Sequence, residues 1–152
     1  MNPRLAALLL FAAVFASGCS RSAPQGLGGQ LIAADKEFSA LSAKEGPKAA
    51  YTDMLTMDAK LLNQYRIGSG GIQDMFLQLP SDAKLTWEPS FVDISSSSDL
   101  GYTWGRYTLL LQFKAIGARP MLQMGYYIHV WKRDRFGRWK IVFIGGNPDG
   151  QK

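Results

Sequence analysis

Apolar residues are spaced in two ways along this chain, and the change between them divides it. From Leu5 to Ala16 the run LAALLLFAAVFA is apolar without interruption. Leu31, Ala34, Phe38 and Leu41 then recur at helical spacing, with Asp35, Lys36 and Glu37 on the other side. Gly46-Pro47 ends this first helix, and Pro47 opens a second, shorter one reaching about Met57. Ala59 to Asn63 reads as a strand. Ile72, Met75, Phe76 and Leu79 make a compact stripe that predicts a third helix, with Ser69 as its cap and Pro80 as its stop. Beyond Pro80 the period shortens. Leu85–Glu88 and Phe91–Ser95 read as strands separated by Pro89, and Ser95–Asp99 as a polar turn. Leu100–Ala115, Met121–Arg133 and Arg138–Ile144 are further strands, divided by Gly117–Pro120 and by the turn Asp134–Gly137. Gly145-Gly146-Asn147-Pro148 closes the last. Helices first and an antiparallel meander afterwards indicate an α+β domain.

The first apolar run is too short to span a bilayer, which takes about 20 residues. Arg4 precedes it and Ala16-Ser17-Gly18-Cys19 follows, the layout of a secretory signal peptide. Small residues leading into a cysteine resemble the lipobox of bacterial lipoproteins, with Ala16 where that pattern favours Leu. Cys19 is the single cysteine of the chain. The resemblance implies cleavage after Gly18 and a diacylglyceryl group, with palmitate-type acyl chains, on the Cys19 thiol. Two or three chains hold a protein where one leaks off. Ser20, rather than Asp, after the cysteine implies the periplasmic face of the outer membrane within the cell envelope. Ser20 to Gln30 is polar and rich in Gly and Ser, so residues 19–30 read as a lipidated flexible tether. The expected organisation is 1–18 signal peptide, 19–30 tether, 31–148 one domain and 149–152 a tail.

Removing residues 1–18 leaves 134 of 152 residues and lowers the formal charge from +5 to +4, since that part holds one Arg and no acid. This mild basicity suits contact with anionic lipid and is too weak to argue for nucleic acid. With Cys19 lipidated no disulfide is available, so the fold must hold by its core. The 47% apolar fraction suffices for that.

Candidate chemistry concentrates in the strands. His129, the single histidine, shares a strand face with Tyr127 and Trp131. Tyr102, Trp104 and Arg106 alternate on one face of the long strand; Tyr107, Leu109, Leu111 and Phe113 occupy the other, and either face could be the inner one. An inward Arg106 would need a carboxylate or an anionic ligand. Asp58 reads as a turn or cap residue, and Asp93, alternating with Val92 and Ile94, as facing water. Lys132, Arg133, Arg135, Arg138 and Lys140 surround the final turn and read as a solvated tip, or as a contact for anionic lipid or cell-wall polymer. Gly68-Ser69-Gly70-Gly71 lacks the Lys-Ser/Thr of a phosphate loop, and no nucleophile elbow or dinucleotide fingerprint occurs. One histidine and one cysteine give no basis for a zinc site; no metal and no cofactor is expected.

Three segments carry a family likeness: DAKLL at 58–62, DLGYTWGRYTL at 99–109 and GYYIHVWKRDRFGRWKIVFIGGNP at 125–148. They resemble the nuclear transport factor 2-like superfamily, of the SnoaL-like or domain of unknown function 4440 type. The likeness covers most of Leu31–Pro148 and is most specific in the hairpin of Trp131, Gly137 and Trp139. It implies a cystatin-like cone, in which a strongly curved antiparallel sheet wraps N-terminal helices around a pocket. That cone hosts isomerases, cyclases, dehydratases and members without known activity, so the fold alone leaves the chemistry open. The residues favour a non-catalytic binding cone. Tyr102, Trp104, Tyr127 and Trp131 form its wall, His129 or Arg106 its polar anchor and Tyr51 a lid, for an apolar or amphipathic anionic molecule. The alternatives are an isomerase, cyclase or dehydratase-like enzyme using Asp58 or His129, and a scaffold that binds a protein partner. A homodimer through the sheet is the expected self-association.

Overall fold

The computed structural model describes residues 26–62, 71, 72, 76, 78–113, 117 and 119–150. Cys19, and with it the signal-peptide and lipidation reading, lies outside them. Helix α1 spans Leu27–Glu45 and α2 spans Pro47–Met54. Five strands follow: β1 Leu55–Leu61, β2 Lys84–Ile94, β3 Leu100–Leu111, β4 Met121–Arg133 and β5 Trp139–Pro148. They form one sheet in the order β1-β5-β4-β3-β2. The fold is α+β, as the change of period indicates. The sheet is mixed rather than wholly antiparallel, because β1 runs parallel to β5 at its edge.

Several boundaries move. α1 begins at Leu27 inside the stretch read as tether, with Gly26 at its N-cap at φ 96° and the Gln30 N–H already bonded to the Gly26 carbonyl at 3.1 Å. Packing of the face that starts at Leu31 outweighs the low helix propensity of Gly28 and Gly29. α2 stops at Met54, and β1 starts at once at Leu55 instead of at Ala59. β5 continues through the glycines to Pro148, where it still pairs with Gly125 of β4. Of the third helix, Gly71, Ile72 and Phe76 are described as helical; Ile72 and Phe76 are buried. Its remaining turns, including the Ser69 cap, are largely outside the described residues.

Pro89 does not break the strand. β2 is continuous and absorbs it at a bulge between Pro89 and Phe91, which is how a sheet tolerates a residue without an N–H. The bulge presses the Glu88 carbonyl toward Gly105 of β3, where an added Cβ would lie 2.0 Å from that oxygen. Gly105→Ala should therefore cost about 1–3 kcal/mol or more, as overpacking does. A thermal melt of the variant checks this, and an unchanged midpoint would show that the two strands separate there freely.

Inside the curve of the sheet, α1 and α2 close the core around Phe38, Tyr51, Trp87 and Trp131. Edge-on aromatic contacts hold it: Phe38 meets Tyr51 at 4.7 Å and Trp87 at 4.6 Å between ring centroids. Such pairs add to area burial because ring edges are positive and faces negative.

Candidate functional site

The buried stripe of α1 is Leu31, Asp35, Phe38, Ser39 and Ser42. Its spacing is that of one helical face, so Asp35 enters the core between two large apolar neighbours. A fully buried carboxylate is costly unless hydrogen-bonded, and the strands supply its partners. Trp87 of β2 donates its indole N–H to Oδ1 at 2.7 Å. Tyr127 of β4 donates its hydroxyl to Oδ2 at 2.7 Å. His129, two residues further along the same face, brings Nδ1 to 3.1 Å from Oδ1. The Thr103 hydroxyl also helps hold the Asp35 charge, while accepting the Trp131 indole N–H at 2.9 Å. Two further contacts lock α1 to β2: the Trp87 backbone N–H donates to the Ser39 hydroxyl, and Ser42 donates to the Leu85 carbonyl.

Burial alone would raise the Asp35 carboxyl. The hydrogen bond and charge of His129, with the Thr103 and Tyr127 hydroxyls, outweigh it and hold Asp35 below its ordinary value. An ionised carboxylate only accepts, so His129 Nδ1 carries the proton of their contact. Nε2 then faces the Tyr51 hydroxyl of α2 at 3.1 Å; a neutral ring accepts the Tyr51 proton there, and a charged ring donates to the Tyr51 oxygen. Burial, and after it the Asp35 charge, push the Tyr51 and Tyr127 phenols upward. Both therefore stay protonated. Asp35, His129 and Tyr51 form one hydrogen-bonded line from the core to the wall of a cavity.

That cavity has a volume of about 430 Å³, within the size range of small-molecule sites. Leu61, Phe76, Leu79, Leu85, Leu109 and Ile144 give it an apolar wall, and Tyr51, Tyr127, His129 and Gln123 place polar edges in it. Gln123 is itself engaged, donating to the Tyr107 hydroxyl at 2.8 Å. Among the described residues no Lys or Arg lines the cavity.

Strand register decides which expected residues meet here. Thr103 pairs directly with His129, Gly101 with Trp131 and Gly105 with Tyr127; cross-strand partners share a face. Tyr102, Trp104 and Arg106 consequently point to the convex side. Their expected place in the pocket wall is corrected: Trp104 is 40% exposed, and Arg106 bonds Asp149 and lies over the Tyr126 ring at 4.7 Å. Tyr51 is buried wall, not a lid. Tyr127 and His129 do line the cavity, whereas Trp131, fully buried, stands behind them. Asp58 and Asp93 are both exposed, and neither lines the cavity. Asp35 and Trp87 were missed. Asp35 reads as polar-face only if Ala34 is taken to set the stripe; counted from Leu31 and Phe38, it belongs to the buried face.

Solved structures of the same shape are numerous. A nuclear transport factor 2-like superfamily protein from Salmonella enterica serovar Typhimurium superposes with a TM-score of 0.66 at 9% identity, covering 83% of this chain and 93% of that one. The fold is that of the nuclear transport factor 2-like proteins. A ketosteroid isomerase-like protein from Erwinia carotovora atroseptica matches with a TM-score of 0.64 at 13% identity over 80% and 95% of the two chains. An NTF2-like protein with a cystatin-like fold from Novosphingobium aromaticivorans gives 0.57 at 11% identity over 81% and 80%. No family model and no curated protein matches the chain. Among the described residues no helix is long and apolar enough to cross a membrane.

Proposed function

We propose that this chain is a lipid-anchored, non-catalytic binding domain of the cell envelope. Its cone holds a small, mostly apolar, uncharged molecule with one hydrogen-bonding group. The observation that carries the reading is the cavity itself. It is a leucine-rich hollow whose polar edges gather around Tyr51 and His129, and the one carboxylate behind them, Asp35, is fully engaged by protein donors. A hydroxyl or carbonyl on the ligand would meet Tyr51, His129 or Tyr127, while the leucines cover the rest. With Arg106 on the convex face, an anionic ligand loses the cation that motivated it.

The test uses the chain from Ser20 onward, which retains every described residue. A panel of long-chain alcohols, ketones and fatty acids should show saturable binding of neutral members. Leu109→Trp, which fills the cavity, should abolish it. Tyr51→Phe should weaken it a few-fold to about tenfold, the worth of one hydrogen bond. Binding indifferent to Leu109→Trp would refute the reading. The anchor is checked separately by the mass of the mature N-terminus; a free Cys19 thiol would refute it.

A second reading is favoured by one feature, the line Asp35–His129–Tyr51. A carboxylate orienting an imidazole that faces a hydroxyl is the arrangement acid–base enzymes use, and one neighbour of the same fold is called ketosteroid isomerase-like. Turnover of a bound ketone that is lost in Tyr51→Phe would promote it.

A further inference from the structure

The two ends of the cone differ in chemistry. The cavity lies at the end formed by the start of β2 at Leu85, the last part of β3 at Leu109, the start of β4 at Gln123 and the end of β5 at Pro148. The opposite end carries two turns, Ser95–Asp99 between β2 and β3 and Asp134–Arg138 between β4 and β5. The Arg133 N–H donates to the Asp99 carbonyl at 2.8 Å and ties them together. α1 starts at this second end. A Cβ on Gly28 would lie 3.5 Å from Val92 near the end of β2, and Arg133 reaches the Gln30 side-chain oxygen at 3.4 Å. The chain therefore enters the domain beside the β4–β5 turn. Seven residue steps separate Gly26 from Cys19, a span of at most about 25 Å whatever their conformation.

We propose that the β4–β5 turn is a docking surface for an anionic lipid bilayer, with the cavity directed away from the membrane. The proposal rests on the lipid anchor at Cys19. Between Lys132 and Lys140 the chain has five basic residues and one acid. The acid, Asp134, is spent within the turn: it accepts the backbone N–H of Phe136 and of Arg138, and the Arg138 Nε–H at 2.9 Å. Asp99 of the neighbouring turn is engaged by the Ser95 and Ser97 hydroxyls. At the tip Phe136 is 66% exposed, between the guanidinium groups of Arg135 at 4.7 Å and Arg138 at 5.2 Å. A projecting apolar ring flanked by cations fits the boundary between lipid head groups and acyl chains, where the ring sheds water and the guanidiniums meet phosphates. The tether fixes which end of the domain reaches that boundary. A ligand of the cavity then arrives from the aqueous side.

The test uses the mature lipidated chain in vesicles, with a polarity-sensitive thiol label at Phe136→Cys and, as a reference near the cavity end, at Leu122→Cys. Leu122 is 59% exposed. In phosphatidylglycerol vesicles containing brominated lipid, the label at 136 should be quenched and the label at 122 not. Arg135→Glu with Lys132→Glu should bring the signal at 136 down to that at 122, and purely zwitterionic vesicles should do the same. Neither substitution touches the Asp134–Arg138 pair that holds the turn, and a thermal melt of the variant separates loss of docking from loss of fold. A lipidated chain whose position 136 stays unquenched overturns the proposal while leaving the anchor standing. If the parent chain itself takes label at Cys19, the anchor is absent and the docking proposal falls with it. Retention on insoluble anionic cell-wall polymer, lost on charge reversal without any lipid quenching, would assign the turn to the polymer instead.

Discussion

Asp35→Ala is expected to lower the melting midpoint by on the order of 10–20 °C. Removing one member of a buried ionic network costs about 3–5 kcal/mol, and each kcal/mol shifts a domain of this size by several degrees. Here the loss leaves the Trp87 indole, the Tyr127 hydroxyl and the His129 Nδ1–H without their buried acceptor. Asp35→Asn keeps the shape and should fall in between: its oxygen can still accept from Trp87 and His129, while its NH₂ forces the Tyr127 hydroxyl to turn from donor to acceptor. A pH signature accompanies the effect. The native carboxyl is held below its ordinary 3.8, so ionised Asp35 stabilises the fold at any pH above that value. Its contribution drains as pH falls from there through the depressed native value. The acid limb of stability against pH should be steeper in the parent than in Asp35→Asn. Thermal melts of the three chains between pH 3 and 7 decide it; coincident acid limbs would show that Asp35 is not ionised in the native protein.

The second large effect belongs to Trp131, fully buried with its ring edge-on to Phe38 at 6.1 Å and to His129 at 5.8 Å. Trp131→Ala should cost about 3–5 kcal/mol through lost burial and the cavity left behind. It also strips the Thr103 hydroxyl of its donor, and Thr103 is one of the groups that hold Asp35. The effects of Trp131→Ala and Asp35→Ala should therefore fall short of additivity in a double-mutant cycle. Trp139→Ala should cost less. That residue is 9% exposed, its indole N–H has no hydrogen-bond partner among the described residues, and Arg133 covers its ring at 4.8 Å. Urea unfolding of both variants ranks them, and a larger loss at Trp139 would contradict the core described here.

The face of each strand could be read only relative to itself. Alternation correctly groups His129 with Tyr127 and Trp131, because one strand has one parity. It says nothing about which group of the neighbouring strand lies beside them, and the aromatic wall built from Tyr102 and Trp104 joined residues on opposite faces. The pairing of Thr103 with His129 settles this. A one-residue change of register would have exchanged every side chain, the reason register is a tertiary property. Asp35 shows the opposite failure. Its place on the apolar face of α1 is legible from Leu31 and Phe38, but a carboxylate is normally assigned to water, and only its four partners on β2, β3 and β4 make burial tolerable.

What the sequence determined by itself is the order of elements and the α+β class, since period 3.6 and period 2 are local facts of spacing; the cone fold came only as what the resemblance of three segments implies. Chain-local patterning also grouped Trp131 with Tyr127 and His129 on one strand face, though it read Trp131 as pocket wall rather than core. The tertiary structure decided the rest. It set the inner face of the sheet, the parallel docking of β1 on β5, the expulsion of Arg106 to the convex surface and the assembly of Asp35, His129 and Tyr51. These residues lie up to 94 positions apart in the chain, and hydrogen bonds act over about 3 Å; no pattern confined to neighbouring residues carries that information.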